Sequence, residues 1–326
     1  MFFNIHYRFL TLVLFLQLNS LAFAQFPPAA GQEGSTAING DSSTFIGWAV
    51  MCSVERGYLD ISEPGSGFVS HGEVSNTLGQ ADNIVLSLGD GGVATLGFHV
   101  PIYNGEGFDF CVFENALNDT FLELAFVEVS SDGENFYRFP ATSLTQTETQ
   151  TETFGATIPE EINNLAGKYI RLFGTPFDLG EMENIPGLDV DSITQIKIID
   201  VVGSIDDGFT TYDSQGNKIN DPWPTPFASG GFDLDAIGVI HNLYNQDINE
   251  NKGYDFKVFP NPVIENFTFE SKEEYKIELL AIGGRVIFQM ESRKKFLVKM
   301  DNYPSGIYIL NISNGKKNHI LKIVKR

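Results

Sequence analysis

Apolar and polar residues alternate at period two along most of this chain, and almost no stretch keeps the 3.6-residue period of an amphipathic helix. Short runs bounded by Gly, Asn, Asp and Pro predict strands at 43–54, 84–88, 93–100, 108–114, 122–130, 168–173, 193–202 and 232–241. On 108–114 the alternation puts Asp109, Cys111 and Phe113 on one face and Phe110, Val112 and Glu114 on the other. The run 127–139 (VEVSSDGENFYRF) reads as a hairpin turning at Ser131-Asp132-Gly133. The polar repeat 142–153 (TSLTQTETQTET) predicts an exposed loop, and 160–165 a short helical turn. Longer irregular loops are expected at 174–191 and 203–230. Many short strands and almost no helix define an all-β chain: a jelly-roll-like β-sandwich body over 43–241.

The polar stretch 242–254 reads as a linker. After it, 255–326 holds about seven alternating segments of about six residues each, which fit a small Ig-like β-sandwich. At the other end, residues 1–24 have the form of a signal peptide. Arg8 precedes the apolar run 9–16, and Ala22-Phe23-Ala24 supplies small residues at a cleavage position. Gln17, Asn19 and Ser20 interrupt the apolar run too early for a membrane span, and no later stretch is long and apolar enough to make one. Residues 25–42, rich in Pro, Gly and Ala, form a leader segment.

Charge divides the chain at the same place as the pattern does. From Tyr254 onward there are thirteen Lys and Arg against eight Asp and Glu, a net of +5. From Gln25 to Gly253 there are seven against thirty-four, a net of −27. A body so acidic repels nucleic acid and anionic membrane surfaces and suits cations or neutral ligands. With 28 Phe and 11 Tyr the chain carries enough apolar area for a packed core. Cys52 and Cys111 either form one disulfide in an oxidising compartment or stay as thiols.

Carboxylates are the densest chemical resource. Asp109, Glu114 and Asn115 lie on or beside one strand, and Asp233 and Asp235 are two apart on another. Oxygen ligands of this kind suit Ca²⁺, which makes it the candidate cofactor. The alternative is that these acids cap turns and bond backbone amides. A pair drawn from Glu114, Glu123, Glu128, Asp233 and Asp235 is the candidate machinery for acid–base hydrolysis. A serine triad has little support: the body's histidines are His71, His99 and His241, with no Gly-x-Ser-x-Gly elbow. Trp223, within the Pro-rich run 222–226, is with Tyr212 and Phe227 the candidate set of ligand-binding aromatics; otherwise Trp223 plugs the end of the sandwich.

Four segments of the body resemble a family of exported bacterial surface proteins of jelly-roll form: SLGDGG at 87–92, GFDFCVFEN at 107–115, ELAFVEVSSDG at 123–133 and GGFDLDAIGV at 230–239. That resemblance implies an association with outer-membrane uptake, cobalamin being one cargo. The tail resembles the type A C-terminal sorting domain of the type IX secretion system of Bacteroidetes. The carriers are VFPNP at 258–262, ELLAIGGRVI at 278–287, YPSGIYILNIS at 303–313 and KIVKR at 322–326. Its motif residues here are Phe259, Pro260, Asn261, Pro262, Gly284, Arg285, Gly306, Tyr308 and Lys322. The resemblance implies handling by the type IX secretion machinery, then attachment to surface lipopolysaccharide or release. The expected protein is thus an exported cell-surface or secreted ligand-binding or adhesion protein. Its sharper form captures a nutrient, such as cobalamin or a glycan, for an outer-membrane transporter. The alternative is a carboxylate-dependent glycan hydrolase.

Overall fold

A computed structural model describes residues 26–243, 256–281, 285–291, 294–314 and 318–326. The signal peptide, most of the linker and Gly284 lie outside the described residues. The body's strands are β1 (Ile38–Asn39), β2 (Gly47–Trp48), β3 (Met51–Glu55), β4 (Leu86–Ser87), β5 (Val93–Ile102), β6 (Phe110–Glu114), β7 (Ala125–Ser130), β8 (Tyr137–Arg138), β9 (Thr142–Ser143), β10 (Ile162–Asn163), β11 (Phe173–Phe177), β12 (Ile193–Asp200) and β13 (Asp233–Val239). The tail holds β14 (Phe256–Phe259), β15 (Asn266–Ser271), β16 (Lys276–Ala281), β17 (Val286–Met290), β18 (Lys295–Lys299), β19 (Gly306–Ser313) and β20 (Asn318–Lys325). The chain is all-β, as its alternation predicts.

Two large antiparallel sheets and the two-stranded β9-β10 pair make the body. One runs β1-β11-β6-β13-β2, with β4 also on β13; the other runs β3-β5-β12-β7-β8. The main strands alternate between them, so β5, β7 and β12 lie in one sheet and β6, β11 and β13 in the other. Their inner faces share one core. Leu96, Val127, Val129, Ile196 and Ile198 meet Phe110, Val112, Leu234, Ile237 and Val239. Phe110 stacks on Phe177, and Phe139 meets both rings edge-on. The outer face of β6 and β13 buries Cys111, Phe113 and Ala236 beneath Phe45 and Trp48. The face assignment on β6 therefore follows the sequence alternation. It also separates the thiols: Cys111 faces outward, whereas Cys52 on β3 packs against the inner core. Both are free.

The structure departs from the pattern in three places. The single strand expected at 43–54 is two, β2 and β3, which enter different sheets on either side of buried Ala49. The strand expected at 168–173 is a turn, with Leu172 at φ 66, and the strand itself starts at Phe173. The repeat 142–153 is not simply exposed. β9 pairs with β10, Ser143, Thr145 and Thr151 are buried, and the Asn220 side chain bonds the backbone of Gln146, Thr149 and Thr151. Hydroxyl and amide groups become buriable when each finds a partner.

The tail is a second sandwich of a three-stranded sheet, β14-β15-β18, and a four-stranded sheet, β17-β16-β19-β20. Its core, including Phe256, Phe267, Phe269, Ile277, Leu279, Leu310 and Ile323, draws only on residues after the linker.

Candidate functional site at the loop end of the body

One end of the body collects its acids. β6 ends at Glu114, which lies opposite Leu234 at the start of β13. β12 ends at Asp200, which lies opposite Ala125 at the start of β7. Glu123 enters just before that strand. The alternation aims Glu114, Glu123 and Asp200 inward, because each has the parity of its strand's core residues. Asp90, from the turn after β4, and Asp221, from the long loop before β13, complete the group, and all five are buried with Asp233.

Most of these carboxyl groups brace the loops. Asp200 accepts from Phe232 N at 2.7 Å and Gly91 N at 2.9 Å. Asp221 accepts from Leu124 N at 2.9 Å, and Asp90 from Ile61 N at 2.9 Å and Trp223 Nε1 at 3.1 Å. Ser87 Oγ donates to Asp233. Glu114 is different: Oε2 accepts from Ala116 N at 2.7 Å, but buried Oε1 has no partner among the described residues.

Burial, and then the neighbouring acids, raise the carboxyl groups of Glu114, Glu123, Asp200 and Asp221 well above the usual range. Burial lifts Asp233 to about 7, with Ser87 and Arg56 opposing the rise. Arg56 is itself occupied by the carbonyls of His71, Gly72 and Ser87.

The expected metal ligands are only partly brought together. Glu114 and Asp233 share this end, and Asn115 follows Glu114 directly at the end of β6. Asp235 is engaged elsewhere, accepting from Asp82 N at 3.2 Å and Asn83 N at 3.0 Å, and burial lifts it to about 6. Asp109 stands at the opposite end of β6. There it accepts from Gly105 N at 2.8 Å and Leu179 N at 2.7 Å, and its Oδ1 lies 2.7 Å from His241 Nδ1. Among the described residues no three His, Cys, Asp or Glu side chains form a ready metal cage. Glu128 is occupied on the sheet surface by Arg138 at 2.9 Å.

The expected aromatic platform also divides. Trp223 is half-buried, stacks on Phe209 at 6.3 Å and is tied to Asp90. Tyr212 is exposed and bridges to Lys218, beside a groove lined by Ser143, Thr145, Thr147, Asn217 and Lys218. Phe227 joins a row that the sequence pattern does not reveal. It stacks on Phe154 at 6.0 Å, and Phe154 lies 6.1 Å from Phe121. Phe154 is 77% exposed. These rings come from three separate loops, so no local spacing marks them. The one available signal is a Phe in the otherwise polar stretch 145–156.

In the tail, the two ends of the motif set meet. Asn261 Nδ2 donates to Lys322 O at 2.7 Å, and Asn261 Oδ1 accepts from Val324 N at 2.9 Å. Val263 N then bonds Val324 O at 2.8 Å and Arg326 N bonds Val263 O at 2.9 Å. Phe259 ends β14, Gly306 opens β19, and Tyr308 Oη donates to Pro304 O at 2.6 Å. Arg285 closes the β16–β17 turn by accepting from Ala281 N at 3.0 Å.

The body and the tail each have a hydrophobic core of their own, and Asn261 fastens the last strand of the tail. The family model "Secretion system C-terminal sorting domain" matches residues 257–326, which are a type IX secretion C-terminal sorting domain. The protein is exported to the cell surface or the extracellular space, and the type IX machinery handles it. No helix among the described residues is long and apolar enough to cross a membrane.

No curated protein matches the chain. Among solved structures it is similar to the BSP domain of a biofilm-associated protein, at 10% identity and a TM-score of 0.17, over 72% of this chain and 48% of that one. It is also similar to the CBM51-2 and INT domains of Clostridium perfringens ZmpB, at 9% identity and a TM-score of 0.16, over 87% and 83% of the two chains. A third is a β-D-glucuronidase of Dictyoglomus thermophilum, at 12% identity and a TM-score of 0.18, over 84% and 43%. The chain thus spans about half the length of the first of these.

Proposed function

We propose that the body is an extracellular binding module that stacks a neutral glycan on the row Phe121, Phe154 and Phe227. The carrying observation is the row itself, with exposed Phe154 and Phe227 beside half-buried Phe121 at ring spacings of 6.0 and 6.1 Å. Sugar rings present flat C–H faces that pack on aromatic rings, and their hydroxyls need polar neighbours. Loops held on a rigid sandwich supply both. Thr120 and Glu152 flank the rings in the sequence, and Thr153 Oγ1 bonds Pro224 O at 2.8 Å, which ties the loop of Phe154 to that of Trp223. A single apolar residue there would be unremarkable, but three in contact form a platform.

Hydrolysis has less support. Glu114, Glu123, Asp233 and Asp235 are buried, so a polymeric substrate does not reach them. Captured glycan at the cell surface suits delivery to an outer-membrane transporter, and surface lipopolysaccharide is the proposed attachment point of the exported chain. A glycan microarray with the full mature chain, followed by titration of the strongest hit, tests the binding role. Phe154→Ala together with Phe227→Ala should weaken binding at least tenfold and leave the melting temperature unchanged. Undiminished affinity in the double variant would overturn the assignment to this row, and an array without any hit would overturn the glycan reading.

A further inference from the structure

Glu114 Oε1 is a buried oxygen without a partner among the described residues, on a residue only 1% exposed. Its surroundings explain what it lacks. Glu114 lies opposite Leu234, next to Asp233 on the neighbouring strand, and it feels the charge of Asp233, while Glu123 feels those of both Asp233 and Glu114. They come from three elements, namely the end of β6, the start of β13 and the entry to β7. Asp200 and Asp221 also act electrostatically on Glu123, but these two are used by the backbone amides of Phe232, Gly91 and Leu124. The basic side chain acting on Asp233 is Arg56, which is committed to three carbonyls. What the protein itself supplies is therefore acceptor oxygens and negative charge. An unpaired acceptor at full burial is costly, and more so when charged. No donor from the described residues reaches Oε1 to relieve it.

We propose that Glu114 Oε1 ligates a divalent cation whose charge is balanced by Asp233 and Glu123, and that the cation is Ca²⁺. The donors are all hard oxygens, with no His or Cys among them, which selects Ca²⁺ or Mg²⁺ over Zn²⁺. Ca²⁺ takes about six to eight oxygens in flexible geometry and accepts backbone carbonyls and water alongside carboxylates. Mg²⁺ demands a near-octahedral set. The three acids do not by themselves make a metal cage, so backbone carbonyls and water would have to complete the set, which Ca²⁺ allows and Mg²⁺ tolerates poorly. The role is structural: the ion joins the entry to β7 to the end of β6 and the start of β13 and so fixes the loop that carries Phe121. The site stands independently of the glycan reading, since neither experiment measures the other's ligand.

The test uses the full mature chain at about pH 7.5. After treatment with chelator and desalting, CaCl₂ is titrated calorimetrically and thermal melts are run with CaCl₂ or with EGTA. The expected results are saturable binding and a higher melting temperature in Ca²⁺. Glu114→Gln keeps the size and the Ala116 contact but removes the charge; it should lower affinity at least tenfold and abolish the Ca²⁺-dependent shift in melting temperature. If that variant does not fold, Asp233→Asn is read in the same way. Three outcomes would overturn the site: no heat and no thermal shift with Ca²⁺, an unchanged shift in the substituted chain, or stabilisation by acidification alone with no response to Ca²⁺. The last would mean that protons neutralise the group. A MgCl₂ titration that matches CaCl₂ would overturn the choice of ion.

Discussion

Asn261 and Val324 lie 63 residues apart and are joined by a hydrogen bond of 2.9 Å from the Val324 amide to Asn261 Oδ1. The same side chain donates to Lys322 O, so one amide group fills two positions along the edge of β20. The start of the sorting domain thus holds its end. An Asn does this because it carries a donor and an acceptor on one planar group.

Asn261→Ala should therefore destabilise the tail by about 1–3 kcal/mol, since both backbone groups lose their partner in a half-buried setting. Asn261→Asp keeps the acceptor for Val324 and loses the donor to Lys322, so it should fall between Ala and wild type. Urea unfolding of the full chain, followed by tail tyrosine signals, measures the order. Secretion assays should show the Ala variant accumulating inside the outer membrane.

Gly167 provides a test of how the acid-lined end is built. It lies at φ 84, and an added Cβ would run into Glu123 O and approach the Phe232 ring. Gly167→Ala meets a left-handed backbone and a backbone clash together, so it should cost well over about 1 kcal/mol. Because the clash pushes on Glu123, the variant should also weaken Ca²⁺ binding if the ion sits where proposed. Thermal melts and calorimetry separate the two effects.

Lys168 sets a pH dependence. Its ammonium is buried and donates to Ile162 O at 2.7 Å. Burial lowers its pKa to about 8 from 10.5, against the opposing pull of Glu160. A depressed base binds its proton less well when folded than when unfolded, so stability is greatest above the unfolded value and is lost as pH falls through the folded one. This group's contribution to stability should grow as pH rises from about 8 to about 10.5, by up to about 1.4 kcal/mol per unit, against the opposite slope from Cys52, Cys111 and Tyr169, whose values burial raises. Lys168→Met should remove that positive contribution and make the stability–pH slope of this segment more negative than in the wild type, whatever its effect on absolute stability.

Much of the architecture is legible in particular residues. The alternation of 108–114 places Phe110 and Val112 inward and Cys111 outward, as the two clusters show. The turn at Ser131-Asp132-Gly133 closes the β7–β8 hairpin, with Glu128 opposite Arg138. Other features are hidden for physical reasons. Strand parity states which face a residue takes but not what it meets there, so Trp48 and Met51 could not be assigned to different sheets. Polar composition alone could not reveal that Asn220, 69 residues away, buries Thr151 by bonding its backbone.

By itself the sequence determined the class and the destination: period-two alternation, the charge division at the linker, and the tail motifs. These are local properties, readable because each residue carries its own share of the signal. The tertiary structure decided which acids belong together. Asp109 and Glu114 are close in sequence, yet an extended strand carries them to opposite ends of β6, about 16 Å apart at some 3.3 Å per residue. Glu114, Glu123 and Asp233 come within electrostatic reach of one another because β6 ends where β7 and β13 begin. That juxtaposition depends on the order of strands in two sheets, a long-range property that no spacing along the chain records.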